Sequence, residues 1–120
     1  MAEWKLGVVE SRFADIIWQN QPITTKELVK LCESQLEWKR TTTYTVLGRL
    51  SDRGLFRNEE GVVSACISRE EFYARQSEQV VEESFAGSLP AFVAAFTARK
   101  SLTADEVAEI RRLIDTYEEV

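Results

Sequence analysis

Three times in this 120-residue chain a Ser or Thr stands three residues ahead of a Glu, directly before apolar residues at helical spacing. The three are Thr24-x-x-Glu27, Ser68-x-x-Glu71 and Thr103-x-x-Glu106. Each is a capping box. The hydroxyl accepts the third residue's N–H and the carboxylate returns to the cap's own N–H, so two orphaned donors are satisfied together. Helix starts are therefore fixed at three points. Ser88, with Pro90 in the first turn, marks a fourth, because proline's missing N–H is no loss there. Ahead of Thr24, the spacing of Leu6, Val9, Phe13, Ile16 and Ile17 predicts a first helix over about 7–20, with Trp18 near its end. Gln19-Asn20-Gln21-Pro22 breaks it. Residues 1–5 read as a frayed arm and Ile23 as an extended link.

The second helix, opened by Thr24, buries Leu28, Leu31, Cys32 and Leu36 and ends near Gln35. A turn at Glu37-Trp38 leads to a third helix, ended by Gly54 just past Arg53. At about 100° per residue, Thr43, Val46, Leu47 and Leu50 share one face, and Thr41, Tyr44, Thr45, Gly48 and Asp52 lie opposite, flanked by Thr42 and Arg49. Hydroxyls and arginines on such a face can donate to phosphates and base edges. An ordinary amphipathic surface helix is the competing reading. After Gly54, the extended runs Leu55-Phe56-Arg57 and Val62 to Ile67 flank the turn Asn58-Glu59-Glu60-Gly61 and predict a hairpin. Helix, helix, turn, basic helix and hairpin make a winged helix-turn-helix, mostly α with a small β-hairpin.

Charge is distributed unevenly. The net charge is −5, yet residues 1–68 hold nine basic and nine acidic residues, so the whole excess lies in 69–120. Within 39–57, Lys39, Arg40, Arg49, Arg53 and Arg57 face one acid, Asp52. A local basic patch, more than a basic chain, is the electrostatic footprint that DNA requires. The chain has no histidine, no Gly-rich nucleotide loop and no metal-ligand cluster, so an enzyme, a cofactor and a metal site are not expected. The acid pairs Glu59-Glu60, Glu70-Glu71, Glu82-Glu83 and Glu118-Glu119 read as solvated or capping groups. Cys32 and Cys66 read as two small core residues. No signal-peptide pattern and no apolar run of about 20 residues is present, which predicts a cytoplasmic location without membrane insertion.

Beyond Ser68, three more helices are expected: to about Ala86, from Leu89 to Arg99, and after Thr103. Phe92, Val93 and Phe96 on the second, and Ile110, Leu113, Ile114 and Tyr117 on the third, form apolar stripes. About 50 residues are too few to build a core of useful stability around them. These seven residues are therefore expected to bury against a second copy, giving a homodimer with two recognition helices. Packing back onto the first domain is the alternative. The expected division is a DNA-binding domain over 1–68 and a helical dimerisation region over 69–120.

From Leu6 to Tyr117 the chain resembles the penicillinase-repressor family of bacterial winged-helix repressors (the BlaI/MecI/CopY type). The most specific part is Trp38-x-x-x-Thr42-x-x-Thr45-x-Leu47-x-Arg49-Leu50-x-x-Arg53-Gly54, which looks like the family's recognition-helix signature. Ile16-Ile17-Trp18 matches the end of its first helix, and Gly61-Val62-Val63 sits where its wing turns. The resemblance implies a dimeric transcriptional repressor of a palindromic operator, with Lys39, Arg40, Thr41, Thr42, Tyr44, Thr45, Arg49 and Arg53 on the DNA. It also implies inactivation by cleavage in the dimerisation region, under a membrane sensor or protease, at an Asn-Phe bond whose counterpart here is Ala95-Phe96. Four features depart from the family pattern, the first being Ala95 where the cleaved bond has Asn. Val62 stands where the wing often carries a basic residue, Cys66 replaces an aromatic, and the copper-sensing Cys-x-Cys motif is missing. The net charge and unusual wing leave a second function class, a winged-helix protein-interaction module that does not bind DNA.

Overall fold

The capping hydroxyls do what their spacing requires. In the computed structural model, which describes residues 4–119, Thr24 Oγ1, Ser68 Oγ, Ser88 Oγ and Thr103 Oγ1 each accept the backbone N–H three residues on, all at 3.1 Å. At Thr103 the box is closed, with Glu106 Oε1 2.9 Å from the cap's own nitrogen. The helices that result are α1 (Val8–Asn20), α2 (Thr25–Leu36), α3 (Arg40–Asp52), α4 (Arg69–Phe85), α5 (Leu89–Arg99) and α6 (Ala104–Thr116). None is long and apolar enough to cross a membrane. The strands are β1 (Ile23–Thr24), β2 (Phe56–Glu59) and β3 (Val62–Ala65). They form one antiparallel sheet in the order β1-β3-β2, so the wing is three-stranded. Ile23, expected only as a link, pairs with Val63.

The wing's turn is Glu60-Gly61, both with positive φ (53° and 83°). Mirror-image turns of this kind match the twist of the flanking strands. Asn58 Oδ1 accepts the Gly61 N–H at 3.0 Å, and Gly61 O accepts the Thr25 N–H at 2.9 Å. The wing tip is thereby tied to the start of α2.

Two compact units are present, one ending at Gln79 and the other starting at Val80. The core of the first is built from Phe13, Ile17, Leu28, Leu50, Leu55, Phe56 and Val63, all within 1% of full burial, with Phe72 of α4 joining them at 0% exposure. At roughly 1.5–3 kcal/mol per large side chain, these residues hold the helices in place. Aromatic rings close the assembly. Trp18 lies 5.5 Å from Phe56 and 5.8 Å from Phe72, centroid to centroid, and Trp38 stacks on Phe13 at 5.3 Å. The first unit thus runs past the expected boundary at residue 68, because Phe72 is part of its core. This is a winged helix-turn-helix unit followed by C-terminal helices.

Three smaller expectations are corrected. Trp4 and Lys5 are not a frayed end. The Trp4 ring meets Phe72 edge-on at 5.9 Å, the Trp4 backbone N–H donates to Gln79 Oε1 at 2.8 Å, and Lys5 O accepts from Arg53. The rest of that arm, residues 1–3, lies outside the described residues. Cys66 is exposed, whereas Cys32 is fully buried. Alternation along β3 and beyond turns Val63 inward and Cys66 outward. Burial pushes the Cys32 thiol up, against a smaller opposite pull from the Thr43 hydroxyl. Val9 is 49% exposed, and Ala14 takes the buried position on α1 instead.

Candidate nucleic-acid interface

The third helix is anchored from behind and open in front. Thr43, Val46, Leu47 and Leu50 are buried. Lys39, Arg40, Thr41, Thr42, Tyr44, Thr45, Gly48 and Arg49 are exposed. Seven of the eight residues expected on DNA therefore share one accessible surface at α3 and its cap. The eighth, Arg53, is half-buried, and its Nη2 donates to Lys5 O at 2.7 Å. No side chain caps α3. Its first N–H groups and the positive end of its dipole therefore meet solvent beside Lys39 and Arg40, an arrangement that favours a phosphate.

Local partners set the strength of each cation. Arg49 Nε lies 3.3 Å from Glu10 Oε2 of α1, with 56% of the arginine side chain still exposed. An exposed pair of this kind is worth about 0–1 kcal/mol, so it orients Arg49 without locking it. Arg57 is engaged on the wing by Glu59 at 3.3 Å and by Ser64 Oγ at 3.2 Å. Lys39 and Arg40 have no ion pair among the described residues. The Arg40 guanidinium sits 5.6 Å from the centre of the Tyr44 ring. The Tyr44 phenol is held below its ordinary pKa, first by a hydrogen bond with the Thr25 hydroxyl and then by Arg40.

Two cations outside the sequence motif belong to the same surface. Lys26 and Lys30 of α2 line an open groove of about 550 Å³ together with Glu33, Arg40 and Tyr44. They are four positions apart, which puts them on one face of α2. That i, i+4 spacing was the available sequence signal, but the groove exists only once α2 and α3 cross. The surface thus carries Lys26, Lys30, Lys39, Arg40 and Arg49 around a stretch of hydroxyls.

Gly48 is the odd member of this surface. A Cβ added there would meet nothing within 4 Å. A glycine inside a helix costs about 1 kcal/mol relative to alanine.

The second unit presents a different surface. Neither α5 nor α6 has a buried residue. Of the seven residues expected to dimerise, Val93, Phe96, Ile110, Leu113, Ile114 and Tyr117 are 41–68% exposed. Phe92 is half-buried, edge-on to Phe85 at 5.5 Å. Ala95 and Phe96 fall in the middle of α5.

Comparison with known proteins agrees with this architecture. The family model described as penicillinase repressor matches residues 6–116. The chain is similar to the methicillin resistance regulatory protein MecI of Staphylococcus aureus, at 19% identity over 116 residues, covering 93% of this chain and 94% of that protein. It is 20% identical, over the same length and coverage, to the proteins of that name from Mammaliicoccus sciuri and Staphylococcus epidermidis. With a match over nearly its whole length, the chain belongs to the penicillinase repressor family.

Proposed function

We propose that this repressor acts as a homodimer that binds a palindromic operator, with α3 of each copy in a major groove. The observation that carries this reading is the two-sidedness of α3. Its buried stripe fixes the helix, and its outer face offers cations with weak partners and hydroxyls, of which that of Thr45 donates to Thr41 O at 2.9 Å and is left to accept. Lys26, Lys30, Lys39 and Arg40 take phosphates, and Arg49 and the threonines reach base edges. The exposed apolar side chains of α5 and α6 pair with a second copy.

Selection of bound duplexes from a random-sequence pool, followed by titration of the recovered duplex at several salt concentrations, tests the DNA contact. Binding should weaken linearly with log salt, in proportion to the phosphates neutralised. Arg49→Ala should weaken binding of the recovered duplex by about 1–3 kcal/mol, with the fold intact because the Arg49 side chain is 56% exposed. Affinity equal to the parent's would remove Arg49 from the interface.

Release belongs to the second unit. The Ala95–Phe96 bond lies in a helix that buries none of its residues within its own chain. Local opening of such a segment costs little, and a protease needs an opened strand. A cut there would divide the apolar stripes and leave the first unit monomeric. Cells challenged with a cell-wall antibiotic should show a fragment ending near residue 95 on a blot; derepression with only full-length protein would assign release to a different event.

A further inference from the structure

We propose that Gly48 is the point of closest approach between α3 and the DNA, a positioning residue that lets the helix backbone enter the groove. The inference rests on the DNA-binding reading above and deepens it. The other four glycines have reasons within the chain. Gly54, Gly61 and Gly87 have φ of 85°, 83° and 80°, and Gly7 is the N-cap of α1 with its N–H donated to Glu10. Gly48 has none of these. It sits inside a regular helix, without a positive φ, and no neighbouring atom crowds the place where a Cβ would be. An alanine there would strengthen the helix and clash with nothing in the chain.

Its position gives the missing side chain a use. At about 100° per residue, Gly48 falls almost opposite the buried stripe of Thr43, Val46, Leu47 and Leu50. Tyr44 and Thr45 precede it by one turn, and Arg49 flanks it. A helix lying in a major groove turns the line opposite its buried stripe toward the groove floor. Without a side chain at that point, the axis can come closer, and flanking Thr45 and Arg49 can reach base edges that a bulkier residue would hold away.

Gly48→Ala and Gly48→Leu, made in the full chain, test this. The probe is the duplex recovered by the parent protein from a random-sequence pool. Both variants should melt higher than the parent, by about 4 °C for alanine. Alanine should weaken binding about tenfold and leucine further, with an unchanged salt slope, because no charge is lost. Opposite signs for stability and affinity are the signature. Affinity within twofold of the parent for both variants would overturn the inference while leaving DNA binding in place. So would a lower melting temperature for alanine, which would reveal a need for glycine inside the chain. A parent that recovers no duplex from the pool would overturn the DNA-binding reading itself.

Discussion

Leu113→Asp is expected to turn the protein into a monomer and to cost about 100-fold or more in affinity for a full palindrome. The side chain is 62% exposed in the single chain, so aspartate there is solvated and leaves the monomer's fold alone. Across a two-fold interface the same carboxylate would be buried without a partner, at a cost of several kcal/mol. Ile110 and Ile114, at 41% and 66% exposure, stand on the same helix and lose their cover with it. The loss on DNA then follows from geometry. In a dimer the second half-site is bound from a high effective concentration, which multiplies affinity by about 10²–10⁴ without a new contact. A monomer forfeits that factor and retains its weak grip on a half-site. Sedimentation checks the assembly, and titration on full and half palindromes checks the coupling. A variant that stays dimeric, or a monomer that holds the palindrome as tightly as the parent, would place the interface elsewhere.

The other large effect concerns the boundary of the first unit. A chain ending at residue 68 is expected to unfold without a cooperative transition, and one ending at residue 79 to keep it. Phe72 is fully buried, with the rings of Trp4, Trp18 and Tyr73 within about 6 Å of its own. Gln79, two turns further along α4, accepts the Trp4 backbone N–H at 2.8 Å. Cutting at 68 removes these partners and exposes Trp18. The point substitution Phe72→Ala in the full chain should cost about 3–5 kcal/mol, a large share of the 5–15 kcal/mol typical of a domain. Denaturant melts followed by tryptophan fluorescence measure both. A fragment of residues 1–68 as stable as the longer one would show that α4 contributes nothing to the core.

That boundary also shows where the sequence stops being informative. Helix starts were legible because their signals are local: Thr24, Ser68, Ser88 and Thr103 each act on an N–H three residues away. The buried stripe of α3 was legible because it obeys one period, and all four of its predicted members are buried. What sequence reading missed depends on separations of tens of residues. Phe72 has no local signal that marks it as core; the packing of α4 against Trp18 makes it so. Ile23 looked like a link until β3 came alongside it. No motif that the sequence offers specifies Lys26 or Lys30. Their crossing with α3 puts them in a groove with Arg40. Cys66 was assigned by residue type, when alternation along the strand decides its side. Arg53 was assigned from the motif, and the structure gives its guanidinium to Lys5 O.

If α3 meets DNA as proposed, a protein of net charge −5 must hold it through a local patch. All of the negative excess lies beyond residue 68. Screening limits exposed charges to roughly 8 Å at physiological ionic strength. In the proposed complex Lys26, Lys30, Lys39, Arg40 and Arg49 would act as a local field around α3, offset in part by Glu33 in the same groove and by Glu10 beside Arg49. The Arg49–Glu10 pair adds orientation at little cost, and in the proposed complex it would open when a phosphate or base edge arrived.

The most direct measurement is a hydroxyl-radical footprint of the intact protein on the duplex it recovers from a random pool, with the mass of the complex determined alongside. Two copies of α3 reading one palindrome should protect two patches on one face of the DNA, their centres about 10 base pairs or a multiple of that apart, with two chains per duplex. A single patch bound by one chain, or no protection at low salt, would contradict it.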